Sequence, residues 1–143
     1  MIYISRKEHF NAAHRLYNPL WSKDKNYKIF GECSNENWHG HNYELIVTIK
    51  GKINSQDGML IDLKILSNII NDEIIKKVDH KNLNLDVPFL KNIITTTENV
   101  VIEFWKILDS KISSLKIPDC NLHCIKLYET PKNFIEYYGP FVK

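Results

Sequence analysis

The stretch "WHGHNYELIVTIK", residues 38–50, sets two histidines two positions apart ahead of a strongly apolar run. In a β-strand, side chains at i and i+2 share one face. His39 and His41 therefore share a face with Tyr43, Leu45, Val47 and Ile49. If the strand begins at the histidines, both imidazoles look toward the core. Histidine is the commonest metal ligand near neutral pH, and two on one face supply two corners of a tetrahedron. A third ligand is needed to make a site.

Outward from this strand, alternating and helical periods give the rest of the fold. "MIYISRKEHF" reads as a first strand and residues 42–50 as the second. Residues 15–38, with Pro19, Gly31 and several asparagines, read as a long structureless connection, which in a compact domain is usually functional. "MLIDL" can finish a hairpin after the turn-rich "GKINSQDG". "DLKILSNIINDEIIKKV" reads as a helix with Asp62 as N-cap. "TTTENVVIEFWKILDSKI" reads as a second, with Thr95 and Glu98 forming a capping box. "NLHCIKLYET" and "NFIEYYG" complete the strands. The expected class is α+β, in the order β-β-α-α-β-β: a four-stranded antiparallel sheet with two helices on one face.

The chain has 143 residues, enough for one domain spanning 1–143, and 43% are apolar. A net charge of +2 carries no nucleic-acid or membrane footprint. No apolar segment reaches the ~18 residues of a membrane span. The charged N-terminal strand gives no secretory signal, so the three cysteines are expected as free thiols in a reducing cytoplasm.

His14, where the first strand gives way to the loop, can bend back toward His39 and His41. Three imidazoles with one open position are the pattern of a catalytic zinc. Cys33 stands six residues before His39, in the polar stretch "GECSNEN". It reads as a fourth ligand or as a thiolate base or nucleophile. Asp79 beside His80 reads as a proton carrier, or as a helix ending whose imidazole complements the dipole. Glu129 shares parity with Ile125 and Leu127, and a carboxylate ending an apolar face needs a partner. A ligand with several N–H donors in one plane would supply it.

Six segments together resemble the 6-pyruvoyl-tetrahydropterin synthase family: "FNAAHRL", "FGECSNENWHGHNY", "GMLIDL", "VDHKNLNLDVP", "TTTENV" and "LYETPKN". The resemblance implies a T-fold and a homohexamer built as a dimer of trimers, with sites at subunit interfaces. It implies zinc on His14, His39 and His41, and Cys33 as general base. Asp79 and His80 would relay protons, and Glu129 would anchor a pterin. Thr96, Thr97 and Glu98 would border it, with a purely capping role for Glu98 left open. The implied reaction is a lyase step of tetrahydrobiopterin synthesis, from 7,8-dihydroneopterin triphosphate to 6-pyruvoyl-tetrahydropterin with loss of triphosphate.

Where bacterial 6-carboxy relatives carry the cysteine, this chain has Asn35. Glu36, three before His39, falls where folate-pathway relatives carry a catalytic glutamate. Glu36 is therefore either a second base, giving side-chain cleavage to 6-hydroxymethyl-dihydropterin, or a solvated charge. Trp38 is bulky where a small residue is common. A third alternative is a zinc- and pterin-binding protein without turnover.

Overall fold

The computed structural model describes residues 1–141. Strand β1, Ile2–His14, and strand β2, His39–Gly51, pair antiparallel along their whole length, from Ile2 opposite Gly51 to His14 opposite His39. Strand β4, Asn121–Tyr128, pairs antiparallel with β2, and strand β5, Phe134–Tyr137, pairs antiparallel with β4. A bulge between Thr48 and Ile49 shifts the β2–β4 register.

The sheet carries five strands, not the expected four, and is mixed. Strand β3, Lys81–Asn82, runs parallel to Ala12 and Ala13, giving the order β3-β1-β2-β4-β5. Two backbone bonds seat it, His80 N–H to the Asn11 carbonyl at 2.7 Å and Leu83 N–H to the Ala13 carbonyl at 2.8 Å. Two residues carry no readable alternation, so sequence could not announce this strand.

Helix α1, Lys23–Phe30, and a 3-10 turn, Gly31–Ser34, occupy the connection read as structureless. No apolar stripe marks this helix. It is held by the Ser22 cap, which accepts from Lys25 N–H at 3.1 Å, and by Asn26. That side chain is fully buried and donates to the carbonyls of Asn18, Trp21 and Ser22.

Helix α2, Leu63–Ile70, starts at Asp62, whose carboxylate accepts from Lys64 N–H at 2.8 Å, as read. It widens into a π turn, Asn71–Ile75, and closes with helix α3, Lys76–Val78. "MLIDL" forms no strand: Leu60 and Ile61 are buried as the lead into α2. Helix α4, Thr97–Ser114, is capped one residue later than read, by Thr96 accepting from Asn99 N–H at 3.3 Å. The Thr95–Glu98 capping box does not form, because the Thr95 hydroxyl bonds Asn84 instead and Glu98 is exposed.

Even residues of β1 and odd residues of β2 face α2 and α4. Phe10 stacks on Tyr43 at 4.7 Å, and Phe104 of α4 meets Phe10 edge-on at 6.0 Å. Leu45, Val47, Ile49, Leu66, Ile70, Leu108, Ile125 and Leu127 close the core. Burying each such side chain contributes about 1.5–3 kcal/mol. This packing fixes the sheet end at which the histidines stand. No helix among the described residues is long and apolar enough to cross a membrane.

Candidate metal centre and active site

His14 does not bend back from a loop. It is the last residue of β1 and sits directly opposite His39, the first of β2. His41 follows on the same face, opposite Ala12. Gly40 between them fits the ladder, since a Cβ there would press on the Ala12 carbonyl at 3.3 Å. The three rings are 4.6, 5.1 and 4.9 Å apart, and a ligating atom from each lies within 4.8 Å of the others.

The hydrogen bonds leave lone pairs for a cation. His14 Nδ1 lies 2.9 Å from the Thr95 carbonyl, which can only accept, so Nδ1 carries the proton and Nε2 the lone pair. Both nitrogens of His39 and Nε2 of His41 are buried without a hydrogen-bond partner. Each such orphan costs about 1–3 kcal/mol. A cation would relieve the orphaned lone pairs. Burial pushes His14 down to about 4, and burial together with the neighbouring His41 charge lowers His39. Both are neutral at pH 7 and able to bind metal. Three imidazoles suit zinc, and equally copper, iron or nickel.

Glu129, just past β4, reaches this centre. Its carboxylate lies 3.7 Å from His41 Nε2 and 3.9 Å from His14 Nε2, and Thr97 Oγ1 donates to it at 2.7 Å. It stands between two cavities. One, of about 670 Å³, is lined by His41, Tyr43, Asn11, Tyr128 and Thr130 among others. The other, of about 530 Å³, includes Thr96, Thr97, Glu98, Lys132 and Phe134. Either admits a flat bicyclic ligand.

Asp79 and His80 form a pair at the sheet edge. His80 Nδ1 lies 3.0 Å from Asp79 Oδ2, while Asp79 Oδ1 accepts from Asn11 N–H at 2.9 Å. The Asn11 amide, with His80 beside it, holds the Asp79 carboxyl below its usual range. His80 is exposed, in the left-handed region at φ 58°, and borders a depression shared with His41.

Cys33 is exposed on the 3-10 turn and lines neither Glu129 cavity. Its carbonyl accepts from Leu16 N–H at 2.8 Å, so the turn is tied to the residues just after His14. Glu36 points elsewhere: it pairs with Lys23 at 3.1 Å and lines a separate depression with Arg15 and Tyr27. Trp38 takes the left-handed region at φ 63° next to His39.

Three residues went unnoticed in the sequence as parts of this site. Thr95 orients His14, Asn84 holds Thr95, and the Tyr43 hydroxyl lies 3.5 Å from His14 Nε2. Burial raises the Tyr43 phenol well above its usual range, so it remains a donor. Thr95 is 81 positions from His14, and no local pattern signals such a contact.

The family model described as 6-pyruvoyl tetrahydropterin synthase matches residues 3–140. A 6-pyruvoyl tetrahydrobiopterin synthase of Dictyostelium discoideum is 43% identical over 138 residues, covering 96% of each chain. That of Pongo abelii is 41% identical over 136 residues, covering 95% of this chain and 90% of its own. The solved structure of Caenorhabditis elegans 6-pyruvoyl tetrahydropterin synthase superposes with a TM-score of 0.88 at 37% identity, covering 97% of this chain and 96% of its own. With the same fold and nearly full-length matches at this identity, the chain belongs to the 6-pyruvoyl tetrahydropterin synthase family.

Proposed function

We propose that this protein is a lyase that converts 7,8-dihydroneopterin triphosphate to 6-pyruvoyl-tetrahydropterin, releasing triphosphate, in tetrahydrobiopterin synthesis. One observation carries the reading: three imidazoles converge beside a carboxylate held by Thr97. Glu129 accepts the N–H donors of the pterin ring, and Thr97 fixes its orientation. Thr96 and Glu98 border the same cavity. Zinc on His14, His39 and His41, when bound, supplies positive charge that lowers the cost of negative charge beside the reacting carbons.

Cys33 takes the carbon-bound proton of the substrate side chain, and triphosphate leaves with the C–O bond electrons. Asp79 orients His80, which returns protons to the rearranging side chain. Hydrogen moves within the substrate, so no external oxidant or reductant enters.

The enzyme works as a cytoplasmic homohexamer, a dimer of trimers. Two features support this assembly. The outer edge of β1 from Ile2 to Asn11 and that of β5 carry no strand partner among the described residues. Cys33 and the Asp79–His80 pair line neither Glu129 cavity, although the pair adjoins one of them at Asn11 and His41. A neighbouring subunit would complete the cavity.

Turnover of dihydroneopterin triphosphate by purified protein tests the reading, with triphosphate release and the pterin product both followed. Elemental analysis should find one zinc per chain and its loss in His39→Ala. Metal-loaded protein that releases no triphosphate would overturn the activity.

A further inference from the structure

Asn84 has no part in the chemistry proposed above, yet its carboxamide makes three bonds at one point. Its Oδ1 accepts from the backbone N–H of Arg15 at 3.1 Å and from the Thr95 hydroxyl at 3.1 Å. Its Nδ2 donates to the Arg15 carbonyl at 3.0 Å. Arg15 is the residue after His14, and Thr95 supplies the carbonyl that takes the His14 Nδ1 proton. One side chain therefore grips both the backbone that carries His14 and the group that orients its ring.

The network continues to the Cys33 turn. Arg15 Nη2 donates to the Ser34 carbonyl at 2.9 Å, and Leu16 N–H donates to the Cys33 carbonyl at 2.8 Å. The Arg15 guanidinium is flanked by aromatic rings, 4.1 Å from the Tyr17 centroid and 5.8 Å from that of Trp38. Among the described residues it meets no carboxylate within ion-pair distance, so it serves the backbone of this turn rather than an acidic partner.

We propose that Asn84 is a positioning residue that sets the orientation of His14 at the metal and, through Arg15, the location of the Cys33 turn. The inference rests on the metal and base roles proposed above. A carboxamide fits because the point needs two acceptor bonds and one donor bond together. An aspartate keeps both acceptor bonds but sets a second carboxylate oxygen, in place of the donor, against the Arg15 carbonyl. An alanine leaves the Arg15 amide, the Arg15 carbonyl and the Thr95 hydroxyl without this partner.

The experiment compares metal-loaded wild type, Asn84→Ala, Asn84→Asp, Thr95→Val and the double variant Asn84→Ala/Thr95→Val. Metal release to a chelator, alkylation of Cys33 followed by peptide mass spectrometry, and kcat and KM per metal-loaded site are read. Asn84→Ala is expected to release metal or lose kcat about 10–100-fold, the usual effect of removing a partner of a metal-bound histidine. KM should hold, Cys33 alkylation should change, and Asn84→Asp, which keeps the two acceptor bonds and loses the donor, should fall between wild type and Asn84→Ala. The double variant should lose less than the product of the single losses, because both changes break one network. A lower melting temperature with wild-type metal release, alkylation and kcat would overturn the proposal and leave Asn84 a packing residue. If Asn84→Ala does not fold, Asn84→Asp, which still removes the donor to the Arg15 carbonyl, is read by the same measurements, and wild-type metal release, alkylation and kcat in both Asn84→Asp and Thr95→Val would overturn the proposal. Absence of turnover in wild type would refute the proposed activity, while metal release and alkylation would still judge Asn84.

Discussion

Acidification of the metal-free protein should weaken it through His14. In the folded chain this imidazole is held down to about 4 from its ordinary 6.5, chiefly by burial. The unfolded chain therefore binds more protons between these values. The contribution of neutral His14 is fully present above pH 6.5 and is lost as pH falls toward 4. Across that window the shift is worth about 3 kcal/mol, and the step from pH 7 to pH 5 removes about 2 kcal/mol. His39, lowered by burial as well, acts with the same sign. Urea denaturation of chelator-treated protein at the two pH values measures the loss. His14→Gln removes this titrating group, so its loss on acidification should be smaller by about 2 kcal/mol. Equal losses in wild type and variant would refute the reasoning. So would an NMR titration placing the His14 midpoint near 6.5, a check that needs no variant.

Cys33→Ala should keep its metal and lose turnover by about 10²–10⁴-fold, the range for a general base; loss of metal with the thiol would make Cys33 a ligand instead. Glu36→Gln should alter neither the rate nor the proportion of pyruvoyl to hydroxymethyl product by chromatography, because Glu36 faces Lys23 and not the histidines. Light scattering should give six times the 16.9 kDa chain mass; a fully active monomer would exclude a site shared between subunits.

What could be read from the sequence is what local chemistry fixes. The period of two through Tyr43, Leu45, Val47 and Ile49 placed one face of β2 in the core, and all four are buried. The same parity put His39 and His41 on that face. Asp62 capped its helix because a carboxylate before a helical period satisfies free N–H groups whatever the surroundings. The parity of Ile125, Leu127 and Glu129 led to a carboxylate that does reach two imidazoles.

Tertiary structure decided what depends on distant partners. Thr95 was read as a cap because its neighbours allow one; across 81 positions it meets His14, and Thr96 takes the cap. Helix α1 is held by a buried asparagine and one serine rather than by an apolar stripe, so periodicity missed it. β3 consists of two residues held by bonds to β1. Glu36 and Cys33 are three apart in sequence, yet Glu36 is drawn to Lys23 while the Cys33 turn is tied to Leu16. Sequence spacing fixes side-chain direction only inside a regular strand or helix, where the backbone repeats. In the loops, direction is set by whichever distant donor or acceptor the fold brings within hydrogen-bonding reach.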